Sequence, residues 1–240
     1  MQKKLYGVKM KRLINYFSRG EIILWSSSVS IIIISFLLFD RGNFLALTAS
    51  LIGVTALIFC ARGNPIGQGL MIIFCIIYGI ISLSYSYYGE LMTYMLMSLP
   101  MATVSLISWL RHPYGTGHAE VKTNRISKRE FACLCLATAL ITFIFYFLLK
   151  YFGTANLLPS VCSVATSFFA AYLTFRRSPY FALAYAVNDV ALIILWTLAV
   201  FDDISYISVI VCFAVFLVND LHSFISWKRM EARQNTPEEP

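Results

Sequence analysis

Charge is what this sequence has least of. Only 13% of its 240 residues are Asp, Glu, Lys or Arg, against about 25% in soluble domains. With 59% hydrophobic residues, a water-soluble core would leave too little polar surface to cover it. An ordinary soluble domain is therefore excluded. There are three histidines, His112, His118 and His222, and the first two fall in a polar loop. No glycine-rich phosphate loop follows a strand pattern, and neither Gly-x-Ser-x-Gly nor His-Glu-x-x-His occurs. No histidine has a credible nucleophile beside it at membrane depth, so an enzyme is not expected and no cofactor is called for. The six cysteines all lie in or at the edge of apolar runs, and Cys133-Leu-Cys135 has the wrong spacing for a zinc knuckle. They read as small packing residues, with no metal.

What the chain does have is long apolar runs. Eight occur, at about 22–39, 44–60, 66–85, 90–110, 131–150, 157–175, 180–200 and 205–227. Crossing ~30 Å of hydrocarbon takes about 17–25 helical residues. The runs are continuous rather than alternating, so they read as helices, not barrel strands. The breaks carry turn chemistry: Asp40-Arg-Gly-Asn43, Arg62-Gly-Asn-Pro65, Arg176-Arg-Ser-Pro179 and Phe201-Asp-Asp203. Tyr85, Tyr87 and Tyr88 fit an outer aromatic belt, and Glu90 fits the dipole of the helix it starts.

The positive charge is placed with a bias. Of 19 Lys and Arg, all but Arg41 and Lys150 fall on the side of the N-terminus if the eight runs are crossed in turn. That asymmetry puts both termini and the 111–130 loop in the cytoplasm. Because the basic residues sit between apolar runs rather than in a patch, a nucleic-acid partner is not expected; the partner is the lipid bilayer.

The chain repeats itself. Ser105-Leu-Ile-Ser-Trp109 recurs as Ser223-Phe-Ile-Ser-Trp227, and Cys60-Ala-Arg-Gly-Asn-Pro65 answers to Thr174-Phe-Arg-Arg-Ser-Pro179. Each copy holds three runs. An odd number would invert an adjacent second copy, but the run between the copies restores the orientation. The expected architecture is an all-α integral membrane protein with two parallel three-helix repeats joined by a linker helix. Its parts are a basic N-terminal segment over 1–21, an extra membrane helix over 22–39, a first repeat over 44–110, a loop over 111–130, the linker over 131–150, a second repeat over 157–227 and a tail over 228–240. Parallel repeats of this kind are a transporter design, with the site between the halves near mid-membrane.

Polar side chains inside hydrocarbon are costly and mark function or helix–helix hydrogen bonds. Tyr185, Asn188, Asp189 and Trp196 share one face of the seventh helix, and Asn219, Asp220, Ser223 and Trp227 one broad face of the eighth. Asn188 and Asn219 lie eight or nine residues from the cytoplasmic ends of their helices, at matching depth. Tyr94, Ser98 and Ser105 line up on the fourth helix. Gln68 begins the third, where capping competes with a gate role. Trp227 also suits an interfacial anchor. Ser163 and Ser167 read as a packing face. Asp202 and Asp203 read as solvated loop residues or a helix cap. The first repeat has Met101-Ala102 where the second has Asn219-Asp220, so the halves share a scaffold and differ in chemistry.

Several of these segments have a familiar pattern. Arg62-Gly-Asn-Pro-Ile-Gly-Gln68, Tyr78-Gly-Ile80, Tyr88-Gly-Glu90, Ser108-Trp-Leu-Arg111, Ala155-Asn-Leu-Leu-Pro-Ser160, Val187-Asn-Asp189 and Val218-Asn-Asp220 through Trp227 resemble the PnuC family of nicotinamide riboside (nicotinamide mononucleotide) transporters. The resemblance covers about residues 44–230. It implies facilitated diffusion of a vitamin B3 nucleoside across a bacterial plasma membrane, a fold similar to SWEET sugar transporters in a 3+1+3 arrangement, and a homotrimer. The substrate would lie between the halves, with Asn188 and the Asn219–Trp227 segment matching family motifs. The resulting candidate substrate-binding set is Gln68, Tyr78, Tyr94, Tyr185, Asn188, Asp189, Trp196, Asn219, Asp220 and Trp227. Many members carry Trp-x-x-Trp just before the asparagine; here the positions read Phe181-Ala-Leu-Ala184. Ring stacking then falls to Tyr185, Tyr78 or Trp196. The departure leaves thiamine, riboflavin or nicotinamide mononucleotide open as substrates, beside a non-catalytic scaffold subunit as the reading from another class.

Overall fold

The computed structural model describes residues 16–84, 88–115, 119–154, 156–201 and 203–236. The basic run up to residue 15, Tyr85 and Tyr87, His118, Ala155 and Asp202 lie outside the described residues.

The described chain is helical, with a lone bridge between Pro113 and Val121 as its extended pairing. Eight helices are long and apolar enough to cross a membrane: α1 (Arg19–Phe39), α2 (Phe44–Ala61), α3 (Pro65–Ser84), α4 (Tyr88–Arg111), α5 (Lys128–Tyr151), α6 (Leu157–Phe175), α7 (Phe181–Ala199) and α8 (Ile207–Asn235, entered through a 3-10 turn at Ile204–Tyr206). Their starts are chemically specified. Ser18 caps α1 in a capping box with Glu21, and Ser127 caps α5 by accepting from Glu130 N. Asn43 accepts from Ala46 N at the start of α2, and Pro65 opens α3 where its missing N–H costs nothing.

Two helices depart from the apolar runs. The α5 helix begins three residues before its run, because the Ser127 cap lets charged residues form its first turn. The α8 helix continues past Trp227 to Asn235. Its polar end is tied to the 111–130 loop by ion pairs Arg125–Glu231 (2.9 Å) and Arg233–Glu120. Gln234 adds bonds to Thr123 and Glu120. Inside α4, Thr93–Ser98 forms a π-helical turn, with Leu99 N–H bonded to Tyr94 O. Pro100 has no N–H to continue the ordinary ladder, which is what the wider turn accommodates.

The basic end is built from matched parts. Glu21 pairs with Arg62 at the end of α2, and Glu130 with Arg176 at the end of α6. Both helices close through a left-handed residue, Gly63 (φ 62°) and Arg177 (φ 57°). Trp227 Nε1 donates to Cys60 O (2.8 Å) and Trp109 Nε1 to Thr174 O (2.9 Å). The preceding serines follow suit, Ser226 donating to Ala61 O and Ser108 to Phe175 O. One strap crosses both corners: Val121 N donates to Gly63 O and Asn124 N to Arg177 O. Helix packing obeys the same pattern, with α8 against α2 and α4 against α6. The α1 helix packs on α2 as α5 packs on α6.

Apolar side chains cover the outside. Ile23, Leu38, Leu136, Leu140 and Leu158 are each more than 60% exposed, a surface that only lipid solvates well.

Candidate substrate cavity

A cavity of about 540 Å³ lies between the helices that carry the repeated segments. It runs from Cys60 and Phe181 near the basic end to Gly153, Asn156 and Tyr206 at the opposite end. The basic end is shut by a layer of rings. Trp109 and Trp227 are 0% exposed, with centroids 5.3 Å apart, and Phe181 packs edge-on against Trp227 at 4.9 Å.

Near this floor stands Gln68, whose Nε2 contacts Cys60 Sγ at 3.3 Å. The preceding Gly67 permits that approach: a Cβ there would sit 2.6 Å from Cys60 Sγ and 2.8 Å from Ala56 O. Asn64, by contrast, turns outward to cap α3 at Ile66 N and to bond the Tyr16 hydroxyl. Higher up, α3 and the π turn of α4 supply an aromatic wall. Phe74, Tyr78 and Tyr94 pack in sequence at 4.7 and 4.9 Å, tilted to one another by 40° and 33°. Toward the opposite end Trp196 leans on Tyr206 at 5.1 Å.

The polar wall belongs to α6, α7 and α8. Asn188 is 6% exposed, and its Oδ1 accepts from both Thr166 and Ser167 hydroxyls at 2.8 Å. That double acceptance fixes the amide, leaving Nδ2 as its remaining donor. Asp189 and Asp220 face each other across α7 and α8. Each is almost fully buried and keeps one carboxyl oxygen without a hydrogen-bond partner. A buried polar atom with nothing to bond is costly, so these two oxygens are the natural points for a ligand to engage.

Of the ten candidate residues, the structure brings eight together around the cavity: Gln68, Tyr78 and Tyr94 from the first half, and Tyr185, Asn188, Asp189, Trp196 and Asp220 from the second. Two stand elsewhere. Asn219 points away from the cavity, its Nδ2 donating to Ser28 Oγ on α1 (3.0 Å) and to Val215 O (2.8 Å). Consecutive helical residues are about 100° apart, and with Asp220 turned to the cavity it is the Ser28 hydroxyl on α1 that takes up Asn219. Trp227 lies in the ring layer below the floor and is bonded to the end of α2, not anchored at an interface.

Sequence reasoning also passed over cavity residues. Glu90 lines the cavity rather than merely starting a helix, and Ser163 and Ser167 line it rather than serving only as a packing face. The signal available for Glu90 was its lone carboxylate beside an apolar run. With Glu90, Asp189 and Asp220, the lining holds three carboxyl groups. Among its described residues there is no Lys, Arg or His.

The arrangement is thus a central polar and aromatic cavity between paired helices. Residues 43–229 match the profile of the family described as nicotinamide mononucleotide transporter. The chain belongs to that family. A curated relative, the nicotinamide riboside transporter PnuC of Neisseria mucosa, is 23% identical over 204 residues, covering 82% of this chain and 76% of its own length. The solved structure titled as that of the vitamin B3 transporter PnuC superposes with a TM-score of 0.77 at 21% identity, over 91% of this chain and 94% of that one. The family is one of membrane transporters, not enzymes, and the fold is the PnuC fold.

Proposed function

We propose that the chain carries nicotinamide riboside across a bacterial plasma membrane by facilitated diffusion, using the cavity between two parallel halves. The observation that carries this reading is the pairing of an aromatic wall with three carboxyl groups and, among the described lining residues, no cationic side chain. Nicotinamide riboside is a flat pyridinium cation with an amide and ribose hydroxyls. A cation is attracted to an aromatic face, and its arrival beside buried carboxyl groups favours their ionised, attractive form. Asn188 and Gln68 offer the hydrogen bonds an amide or ribose needs, and a cavity of about 540 Å³ falls in the size range of small-molecule sites. The relative's printed substrate points the same way.

The mononucleotide adds a phosphate carrying about −1.5 to −2 charges, for which the described lining offers carboxyl groups and no cationic partner. Thiamine is also an aromatic cation and is the second reading that this electrostatic pattern favours; riboflavin, being neutral, gains nothing from it.

The halves follow the expected 3+1+3 order, supported by the matched Ser-Trp bonds and turns. The matching of Glu21–Arg62 with Glu130–Arg176 extends the correspondence by one helix, so α1 reads as the counterpart of the linker α5 rather than an appendage. The basic end faces the cytoplasm, as the charge asymmetry indicates, and the ring layer at Trp109 and Trp227 closes that side. The cavity is then outward-facing in this conformation. A homotrimer is the assembly expected from the family resemblance.

Uptake of labelled nicotinamide riboside into proteoliposomes tests the proposal. Uptake should equilibrate with the outside concentration, without dependence on a proton or sodium gradient. Accumulation only under a gradient would replace facilitated diffusion with coupling, and no uptake by folded protein would remove the substrate assignment.

A further inference from the structure

We propose that the protein holds one anionic phospholipid of the leaflet at its basic end, in a groove separate from the transport cavity. The groove has a volume of about 980 Å³ and lies on the outer side of the bundle, between α5 and α7 with α6 as its floor. It exists because α5 packs on α6 but not on α7, which leaves a furrow between two apolar ridges.

Its shape matches half a bilayer. Along α5 it spans Lys128 to Thr138, ten residues or roughly 15 Å at ~1.5 Å each, half of a ~30 Å hydrocarbon core. The walls below the mouth are apolar and open to lipid: Phe131 is 51% exposed, Val187 54% and Leu183 39%. The floor is kept low by the small side chain of Ala165. An acyl chain fits such a slot.

Its chemistry changes at the mouth. Arg125, Lys128 and Lys228 meet there with a single carboxylate, Glu231. Glu231 bonds Arg125 at 2.9 Å and Lys228 at 2.6 Å, and Lys228 also sits 5.0 Å above the Tyr180 ring. Three cations against one anion leave the mouth positive. Beside them the Asn124 Nδ2 is buried with no hydrogen-bond partner, a donor directed at nothing the protein supplies. A lipid phosphate satisfies the surplus charge. A lipid-facing helix of a second copy would bring apolar residues to that mouth and leave the charge unanswered.

The test is native mass spectrometry of the purified full chain titrated with phosphatidylglycerol or phosphatidylcholine of the same acyl composition. One phosphatidylglycerol per chain should be retained, bound about tenfold or more tightly than phosphatidylcholine. Two changes attack different halves of the groove: R125Q with K128Q removes mouth charge, and A165W fills the floor. Each should weaken phosphatidylglycerol retention about tenfold with helical content unchanged by circular dichroism; if one variant fails to fold, the other decides. Glycerol phosphate, the headgroup without chains, should not compete. Equal retention of the two lipids, retention unaffected by a folded variant, or competition by glycerol phosphate overturns the proposal. So does efficient copy-to-copy cross-linking through V187C in vesicles, since a second copy would then fill the groove.

Discussion

Trp109 and Trp227 lie with ring centroids 5.3 Å apart, and each donates its indole N–H to the last carbonyls of a helix from the other half of the sequence. The contact joins the two halves of the sequence at the closed end of the cavity. Each accepting carbonyl also takes a backbone bond, from Arg177 N and Gly63 N, so losing the indole leaves no orphan acceptor. W109F and W227F should each cost roughly 1–3 kcal/mol, the lost hydrogen bond plus the smaller ring in a fully buried place. That is a fall of about 2–4 °C per kcal/mol for a chain of this size, read by thermal unfolding in detergent. A W227F loss several times that of W109F would contradict their equivalence.

The ion pairs Glu21–Arg62 and Glu130–Arg176 make a second matched set. Glu21 is the more deeply buried carboxylate, at 5% side-chain exposure against 20% for Glu130. Both arginines are about one-third exposed, so solvent takes up part of the loss. E21A and E130A should each lower stability by roughly 1–3 kcal/mol, with E21A the larger. If α1 is a peripheral addition, E21A will instead leave the unfolding midpoint unchanged.

Asn188 and Asn219 separate binding from packing. N188A removes a cavity donor and should weaken nicotinamide riboside about 5- to 150-fold, the equivalent of about 1–3 kcal/mol. N219A breaks the bond to Ser28 on α1 and should lower stability by about 1 kcal/mol while leaving affinity within about twofold. Calorimetric titration of both variants checks this, and a large affinity loss in N219A contradicts the geometry described above.

Asp40 carries a pH effect. Burial first, and then the nearby Asp203 carboxylate, raise its pKa above the usual aspartate value. A raised acid holds its proton more tightly when folded, so its contribution falls as pH rises from the unfolded pKa through the folded one. D40N removes that loss. The substitution should raise the midpoint at pH 7 relative to the native chain, with the gap closing below about pH 3. A gap that persists in acid would show a cause other than charge.

Much of the fold was legible because hydrocarbon imposes simple rules: length, continuity and the placement of Lys and Arg locate eight helices. The ends were less legible. Hydropathy does not register the Ser127 cap that starts α5 among charged residues, nor the loop contacts that extend α8 to Asn235. The site was readable where helical spacing fixes a face, as for Tyr185, Asn188 and Asp189. It misled at Asn219, because one helix cannot reveal that a neighbour, here α1, claims its other side. Glu90 was missed because a carboxylate at a helix start has an ordinary explanation, and only the packed bundle shows the cavity reaching it.

The central claim is that an acidic, aromatic cavity selects a cationic nucleoside and rejects its phosphorylated form. The most direct measurement is the ratio of dissociation constants for nicotinamide riboside and nicotinamide mononucleotide on the purified protein, taken at low and high salt. The account predicts riboside binding about tenfold tighter or more, the preference shrinking when Asp189 and Asp220 are both changed to Asn. Equal affinity, or tighter binding of the mononucleotide, would contradict it.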